Sequence, residues 1–320
     1  RRPERIWVPS YLCQDVVGAV ATGSAEVLVY PDGPLDDARV PDAWADVRPG
    51  DAILTVAYFG VRRPRVVPGE LPGGQARDEV LVVEDHTHDP AGAWARTSDA
   101  DFCVASLRKL WPLPDGGILW SPAGCPVPGA PPCLPELERA SGIKLAGMEL
   151  KARYLRGEAV AKPLFRRLLE KGERTLYSAE TSGITAWSRA LLEALPLAEL
   201  EEARRRRFGR LVDGLEERPG VRVLEAPAET GDGSEEPAPF SALLVFDDVE
   251  ARDRVHRALV EGRVYASRLW PLDEPVVSGV RNTDVALSRR SFSIPVDMRY
   301  GDDDMDRAAR ILNEALGRTL

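Results

Sequence analysis

The chain has 320 residues, 44% of them apolar and 29% charged, enough to bury a large core and, by length, to form one large domain with a smaller one. Forty-two basic residues against 51 acidic ones give a formal charge of −9, which argues against a nucleic-acid partner. No apolar run approaches the ~20 residues that a membrane helix needs, and no signal peptide heads the chain, so a cytoplasmic protein without a membrane partner is expected. Cys13, Cys103, Cys125 and Cys133 show no metal-type spacing and read as reduced thiols, and no metal is expected.

In chain order, short apolar runs at residues 6–8, 27–30, 52–57, 80–83, 102–105 and 118–120 alternate with turn-forming or helical stretches. Near-continuous apolar strands belong to a sheet covered on both faces. Residues 14–21 read as a helix between the first two strands, so residues 6–30 form a βαβ unit of an α/β fold. The chain opens on Arg1 and enters a strand almost at once, and a further N-terminal segment is expected before it.

From residue 136 the pattern turns helical, with one segment to about residue 171 broken by Pro163 and a second over 186–215. The arginine run 204–207 in the second is expected on a solvated helix face. Pro219-Gly220 ends that pattern, and the acidic, Pro- and Gly-rich stretch 226–239 reads as a surface loop. Strand 241–246, helix 249–261, strands 264–267 and 292–294 and helix 303–316 complete a small α/β lobe. The expected division is a large domain over 1–190 and a small one over 191–320.

Chemistry concentrates in the middle of the first half. The run Val80-Leu81-Val82-Val83-Glu84-Asp85 ends in an acid, and Lys109 follows the next strand. An acid at a strand end with a lysine just after the next strand is the layout of a pyridoxal phosphate (PLP) enzyme. The lysine would hold the cofactor as a Schiff base and the acid would keep the ring nitrogen protonated. His86, Thr87 and His88 follow Asp85 at the carboxyl end of a parallel sheet, where open α/β folds place their ligands. Ser106, three positions before Lys109, offers a hydroxyl to a phosphate, and Asp115-Gly116-Gly117 provides a tight reversal.

These residues resemble the aspartate-aminotransferase superfamily of PLP enzymes (fold type I), and more closely the sugar-aminotransferase family of DegT and StrS type. The matching motifs are Glu84-Asp85 with His88 three positions on, Lys109, and Asp115-Gly116-Gly117. Outer segments are similar too: Val8-Pro9-Ser10-Tyr11-Leu12-Cys13, Thr55-Val56-Ala57-Tyr58-Phe59-Gly60 and residues 287–295. The resemblance implies a mostly parallel sheet of the seven-stranded type flanked by helices, with a smaller C-terminal α/β domain.

It further implies a transferase with PLP as cofactor, taking an amino-acid donor and a keto acceptor such as a nucleotide-linked keto-sugar or natural-product intermediate. A lyase, dehydratase or cyclase on the same scaffold, or a degenerate non-catalytic member, is the alternative. Lys109 would be Schiff-base residue and proton carrier, Asp85 the pyridinium partner, His88 a neighbour of the ring's 3-hydroxyl and Ser106 a phosphate ligand. The family's stacking aromatic falls at Cys13, with Tyr11 as its candidate replacement. Arg289, Arg290 and Arg189 are candidates for binding the substrate, Arg289 or Arg290 as a carboxylate clamp, and Arg189 also for the interface of a homodimer with shared active sites. The family's Gly-Thr phosphate loop would lie before Arg1.

Overall fold

Strand β1 (Arg5–Pro9) leads through helix α1 (Gln14–Ala21) into β2 (Glu26–Tyr30), and the two strands pair in parallel from Arg5 opposite Glu26 to Pro9 opposite Tyr30. The computed structural model describes residues 2–37, 39–178, 181–226 and 238–317. Strands β3 (Ala52–Val56), β4 (Leu81–Asp85), β5 (Phe102–Ser106) and β6 (Gly117–Trp120) complete one sheet in the order β2-β1-β3-β4-β5-β6. Every residue of β3 is buried, as its unbroken apolar run requires. Six strands are described where the resemblance implied seven. The short helix α2 (Ala93–Arg96) lies between β4 and β5.

The helical middle consists of α3 (Pro135–Leu155), α4 (Lys162–Ser178), α5 (Ala186–Ala194) and α6 (Leu197–Asp213). The expected break at Pro163 falls earlier, because Gly157 takes φ +85° and Pro163 instead sits in the first turn of α4, where its missing N–H costs nothing. The single helix expected over 186–215 is two: Pro196 forces Leu195 out of the helical region, to ψ 131°.

Strand β7 (Val221–Leu224) pairs antiparallel with β8 (Ser241–Phe246), and β8 with β9 (Ser291–Pro295). Helices α7 (Val249–Glu261), α8 (Asn282–Arg289) and α9 (Asp302–Gly317) accompany them. Strand β7 and helix α8 had no clear sequence pattern. The strand expected at 264–267 is reduced to one bridge, Ser267 with Ser293. The loop expected over 226–239 lies mostly outside the described residues.

The chain divides into two compact units. The first comprises Arg1–Cys103, Ser121–Cys125 and Leu197–Leu320, and the second Val104–Trp120 and Pro126–Pro196. The first unit has one core around β8, β9, α6, α7 and α9, including Leu211, Phe246, Phe292 and Leu312. A second core joins Val8, Tyr11, Leu54 and Phe59 to Leu243, Trp270 and Leu287.

The arginine run breaks the sequence expectation at one residue. Glu201, Arg204, Phe208 and Leu211 share the buried face of α6 at three- and four-residue spacing. Arg204 therefore points inward and pairs with Asp89 at 2.7 Å, while Arg206 is exposed.

Candidate active site

Asp85 is the last residue of β4, and its side chain is buried. Its Oδ1 accepts the Thr87 backbone N–H at 2.8 Å, which fixes the carboxylate at the carboxyl end of the strand. Pleating sends the Glu84 side chain to the face of β4 opposite Asp85, and His86, the first residue past the strand, turns to Glu84. They meet there, His86 Nε2 lying 2.8 Å from Glu84 Oε2. The expectation that one ligand would meet both Asp85 and His86 is corrected by that arrangement.

His88 belongs to an aromatic stack in the first unit. Its ring lies 4.5 Å from Phe240, 5.2 Å from Phe59 and 5.4 Å from Trp270, all within 27° of parallel. The Phe59 backbone N–H donates to His88 Nδ1 at 3.1 Å. Tyr11 joins the same group through Phe59 and Trp270, with ring centroids at 6.3 and 5.9 Å. Its ring is fully buried, its hydroxyl donates to the Leu269 carbonyl, and burial pushes its pKa well above the ordinary tyrosine value. Cys13 is half-buried and stands at the N-terminus of α1.

A clamp that sequence reasoning missed holds this stack. The Asp89–Arg204 pair grips the backbone of Ala238: Arg204 Nη2 donates to its carbonyl at 3.1 Å, and its N–H donates to Asp89 Oδ2 at 3.3 Å. Two residues on, the Phe240 N–H donates to the Phe59 carbonyl at 2.7 Å. Gly60 makes room for this close approach, since a Cβ there would lie 2.6 Å from the Ala238 oxygen. The signal in sequence was faint: one arginine of four falling in phase with the apolar positions of its helix.

Ser106 and Lys109 belong to the second unit. Ser106 ends β5, half-buried, and Lys109 closes the 3-10 turn that follows, exposed. Lys109 makes no hydrogen bond or ion pair among the described residues, whereas Arg108 beside it bonds Glu173 at 3.0 and 3.2 Å. Lys144 also donates to Glu173, and burial lowers the Lys144 pKa. Asp115 is an anchor as well as a turn residue. Its carboxylate accepts the Thr185 N–H at 3.2 Å and the Thr185 hydroxyl at 2.7 Å, and also accepts from the Ser141 hydroxyl. Gly116 adopts φ +122°, which a side-chain-bearing residue rarely does.

Within the first unit, no described contact brings Arg289 or Arg290 to Asp85 or His88. Arg189 is exposed on α5. Arg289 pairs with Asp273 at 2.7 Å, and Arg290 donates to the Phe246 carbonyl at 3.3 Å.

No family model matches the sequence, and no curated protein matches it. Solved structures match along nearly its whole length. Spr1654 from Streptococcus pneumoniae, assigned as a sugar aminotransferase and solved in PMP form, is 12% identical with a TM-score of 0.61, covering 99% of this chain and 83% of its own. DesI, solved in the presence of its TDP-sugar product, is 18% identical with a TM-score of 0.59, covering 98% and 75%. A DegT DnrJ EryC1 StrS aminotransferase from Brucella abortus is 17% identical with a TM-score of 0.58, covering 98% and 80%. At these identities the likeness is one of fold, and the fold is that of the fold type I aminotransferases.

Proposed function

We propose that the chain is a PLP-dependent aminotransferase that moves an amino group from an amino-acid donor to a keto acceptor, the acceptor being a nucleotide-linked keto-sugar or a related intermediate. The observation that carries this reading is the placement of an acid as the last residue of β4 and a lysine in the turn that closes β5, the next strand of the sheet, within an aminotransferase fold. The PMP form of Spr1654, and DesI solved in the presence of its TDP-sugar product, support the cofactor and the acceptor class. The donor set suits the cofactor: a buried carboxylate, held at one oxygen by a backbone N–H, and an amine outside any described ion pair.

Bound PLP supplies a pyridinium ring that withdraws electrons from the donor's α-carbon. Asp85 would keep a proton on the ring nitrogen, its negative charge favouring the protonated form. Lys109 Nζ would hold the cofactor and would serve as the base that takes the proton from the donor's α-carbon. His88 would offer an N–H to the ring's oxygen, and Ser106 would bind the phosphate. Of the two stacking candidates, Cys13 is the one with exposed surface. Arg289, Arg290 or Arg189 contributes to substrate carboxylate binding or to a homodimer interface.

The test is spectroscopic. Purified protein given PLP develops a visible absorption band that Lys109→Ala abolishes, and glutamate converts it to the pyridoxamine spectrum with release of the keto acid. A colourless protein in saturating PLP rejects the reading. Bleaching by glutamate without a keto acid rejects transamination.

A further inference from the structure

On the face of β4 opposite Asp85, within the first unit, Glu84, His86 and Cys103 converge. A carboxylate oxygen, an imidazole nitrogen and a sulfur lie within 4.8 Å of one another, and all three residues are buried. Glu84 is the fourth residue of β4, His86 follows the strand and meets the Glu84 carboxylate at 2.8 Å, and Cys103 is the second residue of β5, the next strand in the sheet. Ser98 sits beside all of this, its hydroxyl donating to Glu84 Oε2 at 2.7 Å and lying 3.3 Å from Cys103 Sγ.

We propose that Glu84, His86 and Cys103 bind one divalent metal ion of borderline softness, zinc in the first instance, through a Glu84 carboxylate oxygen, His86 Nε2 and Cys103 Sγ. Three arguments support the assignment. The ligand types are mixed O, N and S, which selects zinc or cobalt over magnesium and calcium. The charges cancel: a dication against one thiolate and one carboxylate, with a neutral imidazole, gives a site of zero net charge, which a buried position favours. The spacing is close to what is needed, since metal–ligand bonds of about 2.0–2.3 Å put tetrahedral ligands roughly 3.3–3.8 Å apart.

An ordinary cysteine thiol carries its proton at neutral pH. Binding therefore replaces the S–H bond by a metal–sulfur bond, and that proton leaves to solvent. Ser98 keeps its hydrogen bond to Glu84 and orients the ligating carboxylate from outside, and a water completes a four-coordinate shell. The pleat separates this site from Asp85, so its role is to fasten the end of β4 to the start of β5. The cysteine spacing concealed it because only one of the three ligands is a cysteine.

The test titrates the metal-stripped, reduced full chain with Co2+ and then with Zn2+. The expected result is one equivalent of Co2+ giving visible bands plus a near-ultraviolet sulfur-to-cobalt band, release of one proton, and displacement by Zn2+. Cys103→Ser loses the sulfur band while keeping the far-ultraviolet circular dichroism, and Ser98→Ala binds about 10–100-fold more weakly. Folded wild-type protein that shows no sulfur-to-cobalt band overturns the proposal, with no variant needed. A band that survives Cys103→Ser places the ion elsewhere and also overturns it. Since neither readout involves PLP, failure here leaves the aminotransferase reading untouched.

Discussion

The backbone N–H of Phe59 donates to Nδ1 of His88, and this one bond fixes which nitrogen of the ring carries hydrogen. With Nδ1 as acceptor, the imidazole is the neutral Nε2–H tautomer, so it offers an N–H to whatever meets its other edge. Phe59 itself holds φ 55°, an uncommon conformation for a residue with a side chain, while it donates to His88 and accepts from Phe240. Long-range proton–nitrogen correlation spectra of the cofactor-free protein should show His88 as Nε2–H. The Nδ1–H pattern would contradict this geometry.

The clamp behind the stack should behave as a buried ion pair. Burial raises the Asp89 pKa and lowers that of Arg204, so desolvation disfavours both charges. Removing one partner strands the other: Asp89→Ala or Arg204→Met should cost about 3–5 kcal/mol in denaturant unfolding. The double replacement Asp89→Leu/Arg204→Met should recover most of that loss. Additive losses would mean that the two residues act independently.

In the second unit, Asp115 gathers Ser141 and Thr185, the N-cap of α5. Asp115→Ala should cost about 1.5–3 kcal/mol, the worth of hydrogen bonds to a charged group. Gly116→Ala should also destabilise, because φ +122° is strained for alanine and its Cβ would lie 2.9 Å from Ile184 Cδ1. An unchanged melting temperature in either variant would show that Asp115-Gly116-Gly117 does not anchor the helices.

Much of this was legible in sequence, for physical reasons that differ by residue. Helix α7 and strand β8 have the expected limits because Asp248 caps the helix, accepting the Ala251 N–H, and because the apolar run of β8 is too short for a buried helix. Asp85 and Lys109 stand where the sequence put them, at the end of β4 and in the turn after β5, because apolar runs mark those strands. Arg204 was not legible, since a single inward arginine in a run of four is set by a tertiary partner 115 positions away, Asp89. The group of Glu84, His86 and Cys103 escaped notice because alternation assigns Glu84 and Cys103 to a face only once the strand register is known.

Cys103 also gives a pH prediction. Its folded pKa, about 11, stands above the ordinary thiol value of about 8.5, so the fold favours the protonated sulfur. That contribution is full below about pH 8.5 and is lost as pH rises through 11. In metal-free native protein, a thiol reagent at pH 8 should modify the half-buried Cys13, Cys125 and Cys133 and reach Cys103 only on unfolding. Rapid native-state labelling of Cys103 would contradict its burial.

The identity of the lysine is the most direct point of test. Protein incubated with PLP, reduced with borohydride and digested should yield a single phosphopyridoxyl peptide with the modification on Lys109, absent from Lys109→Ala. Modification on Lys144 or on scattered lysines, with Lys109 unlabelled, would contradict the account.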